Sequence, residues 1–326
     1  MKNIPLERFS TYSIIARDAE TGGFGAAVQT HQMCVGAVVP WLDPFAGAVV
    51  TQAMTNVNFG PMGLGLLRRG LTAEQTLDAL IATDERRQSR QLAVVDTKGN
   101  VGAWTGGQCI REAGHHIGGG YSVQANMMTA STVIDAMREA FEAADGDLGE
   151  RMLFALQAAQ AHGGDIRGMQ SAALKVVGGD DIEELSNQIP MYDLRVDEHD
   201  DPVGELARLV RLRKAQLIDA SGHRALERDD IQGAREAWSS ARDLAPELEE
   251  IPFWQAIGAL EDAEDVQWAA AIFNSNLGSD ERLGHWIDLI ERLEECGIVS
   301  RAESAAELIA AIQTKNQSDG GQEARS

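Results

Sequence analysis

Residues 9–41, FSTYSIIARDAETGGFGAAVQTHQMCVGAVVPW, decide how the N-terminal part of the chain is read. Tyr12–Arg17 and Phe24–Thr30 are apolar, strand-like runs separated by DAETGG. Gly22-Gly23 in that connection can take positive φ, so the pair reads as a β-hairpin. Polar residues nevertheless stand at one end of it: Thr11 opens the first strand, and Gln29, Thr30 and His31 close the second. Val35–Pro40 and Gly47–Gln52 are expected as two further strands, the latter ending in Thr51 and Gln52. These polar strand ends predict one shared cavity lined by Thr11, Gln29, Thr51, Asn126 and Ser171.

Beyond Gln52 the periodicity becomes helical. Pro61 suits a first helical turn, Gly70 a C-terminal cap, and Thr72 with Gln75 forms a capping-box pattern, so two helices are expected between Gly60 and Thr83. QLAVVD and VGAWTG, joined by a TKGN turn, and then YSVQANMM return the chain to strand. Helices resume near Ser131, with Val133, Ile134, Met137 and Phe141 on one face, and near Leu148, with Met152, Leu156 and Ala159. SAALKVV and YDLRV follow as strands. Four strands, two helices, three strands, two helices and two strands are most simply buried as two sheets between helical layers, an α+β fold.

Length supports a second domain: 326 residues exceed the usual single domain. After Asp201-Pro202 every signal is helical. ALERDDIQGAREAW from Ala225 and ALEDAEDVQWAAAIF from Ala259 resemble each other with one inserted residue, a spacing that suits a tetratricopeptide-like array. An irregular helical bundle remains the alternative. The expected domains are an extension 1–10, a sandwich 11–201, a helical domain 202–312 and an unordered polar tail 313–326. Helix 203–218 carries Val203, Leu206, Val210 and Leu217 on one stripe. Trp238, Phe253, Trp254, Trp268 and Trp286 add more aromatic surface than two helical hairpins would enclose, which predicts a docked partner surface and a homodimer.

A net charge of −22 opposes binding to nucleic acid or anionic membranes. No apolar run approaches the roughly 20 residues of a membrane-spanning helix, and MKNIPLERFS lacks a secretory signal's apolar stretch. The expected location is cytoplasmic. Cys34, Cys109 and Cys296 lack paired spacing and are read as reduced. His31, His115-His116 and His199 show neither HxH nor HExxH spacing, so no metal and no cofactor is expected. Met127 and Met128 are read as core.

Taken in order, FSTYSIIARDAETGGFGAAVQT, VGAVVPW, GAVVTQA, GYSVQANMM, GGDIRGMQSAAL and YDLRVDEH resemble the domain of unknown function family 1028 over about residues 10–200. That resemblance implies an N-terminal-nucleophile (Ntn) hydrolase-like fold, a four-layer αββα sandwich. It also implies a role for Thr11 of the segment Thr11-Tyr12-Ser13. In Ntn hydrolases the residue opening the first strand attacks an amide carbonyl, and its own α-amine, with a pKa of about 7.7 to 8.0, takes the proton. Thr11 would gain that amine only if the Ser10–Thr11 bond were cut; otherwise it is simply a β-branched strand residue.

The acid and lysine of the proteasome-like branch have no counterpart. Ala27, Val28 and Gln29 fill the acid's position, and the only lysines before residue 200 are Lys2, Lys98 and Lys175. Gln124 and Asn126 share one strand face, and an Asn126 N–H aimed at an oxyanion would contribute about 3 kcal/mol. The pair would otherwise be a satisfied polar couple inside a sheet. Asp165 and Arg167 could meet at a cleft mouth, with the guanidinium gripping a substrate carboxylate, or could merely brace a loop. Gln170 and Ser171 would face the same cleft, as would Gln52. The leading reading is an amidohydrolase acting on a small amide. A non-catalytic binding or scaffold protein is the alternative, and an enzyme of unrelated mechanism in the same cleft is the third.

Overall fold

The computed structural model describes residues 11–178, 190–277, 282–301 and 303–323. The 1–10 extension and the Ser10–Thr11 bond fall outside them. Ten β-strands and ten α-helices form among the described residues, in two compact units, Met1–Val210 and Arg211–Ser326. The division lies nine residues past Asp201, within a continuous helix.

The first unit holds two antiparallel sheets. One comprises β1 (Thr11–Arg17), β2 (Phe24–Thr30), β7 (Gly114–Gly118), β8 (Tyr121–Asn126), β9 (Ser171–Val177) and β10 (Tyr192–Val196), in the order β10-β9-β2-β1-β8-β7. The other runs β3 (Pro40–Asp43), β4 (Gly47–Ala53), β5 (Arg90–Asp96), β6 (Val101–Thr105). The expected hairpin forms with Thr11 opposite Thr30, and Gly22 takes φ 76° in its turn.

Alternation along the strands divides each sheet's side chains between two faces. Ile15, Phe24, Ala26 and Val28 of the first sheet share one core with Ala48, Val50, Ala93 and Val95 of the second. On the second sheet's other face, Val49, Leu92 and Val94 pack with α1 (Phe59–Leu67) and α2 (Ala73–Ala82) through Phe59, Leu67, Leu77 and Leu80. The helix α2 opens on the complete Thr72/Gln75 capping box. On the first sheet's other face lies α4 (Leu148–Ala161), paired with α3 (Val133–Ala143). Helix α4 packs closely on Gly25, where a Cβ would displace the flexible end of Met152.

Two strand expectations are corrected. Val35–Pro40 is not a strand: Val35–Ala37 coils into a single 3-10 turn entered through Cys34 at φ 63°, and β3 begins at Pro40. A Cβ at Gly36 would sit 2.8 Å from that of Ala173, so the coil is pressed onto β9, and its four-residue spacing buries both Val35 and Val39. Conversely, β7 was missed. GHHIG offers only one β-branched residue among glycines and histidines, a weak strand signal that pairing with β8 overrides.

The second unit contains α6 (Ile231–Leu244), α7 (Glu250–Glu261), α8 (Val266–Asn276), α9 (Leu283–Glu295) and α10 (Ser304–Glu323), with the C-terminal part of α5 (Pro202–Leu226). The related stretches adopt one turn. Asp229 (φ 58°) precedes the cap Asp230, whose side chain accepts from Gly233 N; Glu264 (φ 52°) precedes the cap Asp265, which accepts from Trp268 N. The extra residue of the second copy is absorbed before the cap, because Asp230 N reaches Ala225 O and Asp265 N reaches Ala259 O, both at 2.9 Å. Trp238 and Phe253 are fully buried and Trp268 nearly so within the unit's own core, with Trp286 packed against it. Three helical pairs therefore enclose the aromatic mass that seemed to require a partner surface, and only Trp254 stays exposed, at 38%. Helix α10 continues past residue 312 into the polar stretch read as unordered.

Candidate active site

At the Thr11 end of the sandwich, the interface between the sheets changes from hydrocarbon to amide. Ser13 Oγ donates to Gln52 Oε1 at 2.6 Å and accepts from Gln124 Nε2 at 2.6 Å. Gln91 Oε1 accepts from Gln52 Nε2 at 2.6 Å and from Asn126 Nδ2 at 2.9 Å. Gln91 Nε2 lies 2.9 Å from Thr105 Oγ1, 2.9 Å from Ala125 O and 3.0 Å from Gly114 O. Ser122 Oγ donates to Gln124 Oε1 at 2.9 Å. These bonds tie six strands, β1, β4, β5, β6, β7 and β8, together in a water-poor layer, where an unmatched polar atom would cost about 1–3 kcal/mol.

Thr11 borders this layer. It is fully buried, its Oγ1 donates to Thr30 Oγ1 at 3.4 Å, and its carbonyl accepts from Gln52 Nε2 at 3.3 Å and Asn126 Nδ2 at 3.4 Å. Thr30 Oγ1 in turn accepts from Arg167 Nη2 at 3.5 Å. Buried Asp165 takes most of the Arg167 fork, at 2.8 Å from Nη2 and 3.2 Å from Nε, and also accepts from the backbone N–H groups of Arg167 and His31. The pair thus braces the loop to the end of β2 and neutralises its own cation. The geometry is that of the brace rather than of the carboxylate clamp.

Backbone conformation marks the same end. Ala53 follows Gln52 at φ 64° and Met127 follows Asn126 at φ 59°. Each left-handed non-glycine residue costs about 1–3 kcal/mol, strain of the kind that accumulates at functional sites.

Of the five residues expected around one cavity, Thr11 and Asn126 meet between the sheets, together with the further candidates Thr30, Gln52 and Gln124. Gln29 and Thr51 do not. Gln29 has the parity of Gly25 and faces the α4 side, where both amide atoms are buried without a hydrogen-bond partner among the described residues. Thr51 has the parity of Val49 and faces the α1 side, its Oγ1 donating to Asn56 O at 3.3 Å. The expected five-residue cavity is therefore divided by both sheets, because neighbouring strand residues point to opposite faces.

Ser171 has inner parity, opposite Thr30, but its hydroxyl donates to Gln32 O and accepts from Val35 N, a loop-bracing role. Gln170 joins two loops through its backbone, its N–H reaching Thr30 O and its carbonyl accepting from His199 N. His31 is exposed, with Nδ1 3.1 Å from Met169 O. Sequence reasoning missed Ser13, Gln91, Thr105 and Ser122 as parts of the site. Parity would have found Gln91, which lies two residues before the inward Ala93 and opposite Gln52.

His115 touches the network's edge, with Nδ1 2.8 Å from Thr105 Oγ1. Desolvation and the neighbouring His116 hold its pKa below the usual imidazole range. On the α4 side, Tyr12 donates to Gln160 Oε1 at 3.0 Å. Burial, then the charges of Asp165 and Asp201, raise its pKa well above the phenol value, so it stays protonated. Among the described residues no three His, Cys, Asp or Glu side chains converge on a metal position. Nor is any helix there long and apolar enough to cross a membrane.

Comparison with known proteins gives the chain, though not the site, a family. The model for a family of unknown function, DUF1028, matches residues 11–206. The chain belongs to the DUF1028 family. Its matched region begins at Thr11. A solved family member, protein SPO2555 from Silicibacter pomeroyi, is 35% identical over 62% of this chain and 84% of its own, with a TM-score of 0.56. Anbu, the ancestral β-subunit from Yersinia bercovieri, overlaps 60% of this chain and 91% of its own at 11% identity and a TM-score of 0.33, too slight a likeness to carry any argument. No curated protein matches the sequence.

Proposed function

We propose that this DUF1028 protein is an Ntn-type amidohydrolase of an αββα sandwich, cleaving the C–N bond of a small amide with Thr11. The observation that carries the reading is the position of the Thr11 side chain. A buried hydroxyl, bonded only weakly to Thr30 at 3.4 Å, opens the central strand β1 and faces the interface between the sheets, and the carboxamide of Asn126 donates to the carbonyl of the same residue. After cleavage of the Ser10–Thr11 bond, the freed α-amine takes the hydroxyl proton as Oγ1 bonds to the substrate carbonyl carbon. The proton passes to the departing amine as the C–N bond breaks, and water then hydrolyses the acyl ester. Asn126 is the donor proposed for the oxyanion. The reading places the reaction in the cytoplasm, on an uncharged amide and without a metal.

Intact-mass measurement of purified protein tests the first step: loss of residues 1–10 is expected, and a fully retained N-terminus overturns the reading. Hydrolysis of primary alkyl amides should then disappear in Thr11→Ala with the fold unchanged. Equal turnover by the variant would remove Thr11 from the mechanism.

One observation favours the scaffold alternative. The carboxamides beside Thr11 are bonded to one another, as a purely structural layer would require. In that reading the helical unit, built as tetratricopeptide-like pairs on its repeated Asp-capped turn, supplies partner or self association. Sedimentation of the full chain tests that association alone: self-association requires a homodimer, and a monomer would count against it.

A further inference from the structure

The amide layer reaches the surface at one edge of the sandwich, where β6 and β7, the last strands of their sheets, lie side by side. Thr105 stands opposite Gln91 and His115 opposite Gln124, so both side chains share the inner faces with the layer. Gln91 Nε2 donates to Thr105 Oγ1 at 2.9 Å, which leaves the hydroxyl proton for His115 Nδ1 at 2.8 Å. His115 is exposed. A continuous series of bonds therefore runs from a solvent-facing imidazole through Thr105, Gln91 and the Asn126 amide to the Thr11 carbonyl.

Gln91 is the pivot of that series. Its Nε2 carries two hydrogens and meets three acceptors, Thr105 Oγ1 and the carbonyls of Gly114 and Ala125. A neutral His115 ring accepts the Thr105 proton, which strengthens the hydroxyl oxygen as an acceptor and draws Gln91 toward it. A protonated ring has donors on both nitrogens. Its Nδ1–H then competes with Gln91 for the Thr105 oxygen, and the hydroxyl proton loses its acceptor, so Gln91 falls back on the two carbonyls. The carboxamide is planar. A displaced Nε2 therefore displaces Oε1, which accepts from Gln52 and Asn126.

Few charges compete with this effect among the elements packed on β7. β6 carries no titratable side chain and β8 only Tyr121. Asp135, Arg138, Glu139 and Glu142 of α3 lie beyond the first sheet, on the face where Ile134 packs at Gly114. Cys109, Arg111 and Glu112 belong to the loop that joins β6 to β7, and Arg111 there is 93% exposed. Desolvation, and then the charge of His116, hold the His115 pKa below the imidazole range, so the ring is neutral above about pH 6.5.

We propose that His115 is a positioning residue that sets the Thr11 site by its protonation. The neutral ring, acting through Thr105 and Gln91, holds the Asn126 donor on Thr11, and proton uptake by the ring releases it. The proposal rests on the amidohydrolase reading only for the part given to Asn126, so it is tested without a substrate.

Backbone amide and imidazole NMR signals of the full chain are followed from pH 8 to pH 5, and hydrolysis of primary alkyl amides is measured separately. The Tyr12 nitrogen shares a peptide group with the Thr11 carbonyl, so its shift reports how strongly that carbonyl is hydrogen-bonded. That shift should follow the His115 ring through one midpoint, below about pH 6.5. Thr105→Ser and His116→Gln should keep the shared transition. Thr105→Val, which leaves the ring and its charge in place but removes the hydroxyl, should lose it, as should His115→Gln. A Tyr12 shift indifferent to His115 in the native chain overturns the proposal. So does one that follows His115 equally in Thr105→Val, because the ring's charge would then act directly through space. Should Thr105→Val not fold, Thr105→Ala makes the same comparison. A shared transition without hydrolysis leaves the role of His115 standing and removes the hydrolase reading; hydrolysis with an indifferent Tyr12 does the reverse.

Discussion

The two halves of the interface between the sheets lie on the same strands and obey opposite rules. Toward the β1–β2 turn, Ile15, Phe24, Ala26 and Val28 meet Val50, Ala93 and Val95 in hydrocarbon packing. Toward Thr11, one or two residues along the same strands, Ser13, Gln52, Gln91, Gln124 and Asn126 meet through hydrogen bonds. Apolar packing already joins the sheets, so the amide half is not required for association. Amides also contribute less than hydrocarbon unless every donor and acceptor is matched. The polar half is therefore the region whose composition calls for a function, and the left-handed Ala53 and Met127 lie on its border.

The contrast can be broken first at Gln91. Gln91→Leu removes the acceptor shared by Gln52 and Asn126, so a loss of about 3 kcal/mol in denaturant unfolding is expected from the donors left unmatched. In the hydrocarbon half, Ile15→Val should cost only about 1 kcal/mol, the ordinary result of deleting one buried methyl group. If Gln91→Leu costs no more than Ile15→Val, the amide half is ordinary packing and its link to Thr11 weakens.

On the opposite face of the same strands, Gln29→Leu should stabilise the protein by about 0.5–1 kcal/mol, because it deletes a buried amide that finds no partner among the described residues. A loss of stability there would mean that the Gln29 amide is engaged after all. The smallest expected effect is at His115. Its folded pKa is depressed, so the unfolded chain binds the proton more readily. The neutral ring's contribution is complete above the unfolded value of about 6.5 and fades as pH falls through the lower folded value. The difference in melting temperature between the native chain and His115→Gln should therefore shrink from pH 7.5 to pH 5.5.

How far the sequence disclosed this arrangement depends on what each residue had to signal. The hairpin, the Thr72 capping box and both helical pairs of the first unit were legible because turn chemistry and helical periodicity are local. The site was half legible. Thr11, Thr30, Gln52, Gln124 and Asn126 were found because polar residues at strand ends are conspicuous. Gln29 and Thr51 were misplaced because β2 and β4 are buried on both faces, which erases the alternation that would tell inside from outside. Gln91 was passed over because its role exists only opposite Gln52, a pairing set by register between distant segments. Helical enclosure of Trp238, Phe253 and Trp268 was hidden for a related reason, since periodicity shows one helix's stripe but not which third helical pair will cover it.

The bonded chain of carboxamides also has a spectroscopic consequence. Side-chain NH2 protons ordinarily exchange with water within seconds and overlap in one crowded region of an amide correlation spectrum. Those of Gln52, Gln91, Gln124 and Asn126 are fully or almost fully buried and donate to fixed acceptors. They should appear as dispersed pairs that survive transfer into heavy water, reporting from inside the site without an attached label. Because Gln52 and Asn126 donate to the Thr11 carbonyl, a molecule bound at Thr11 should perturb their resonances.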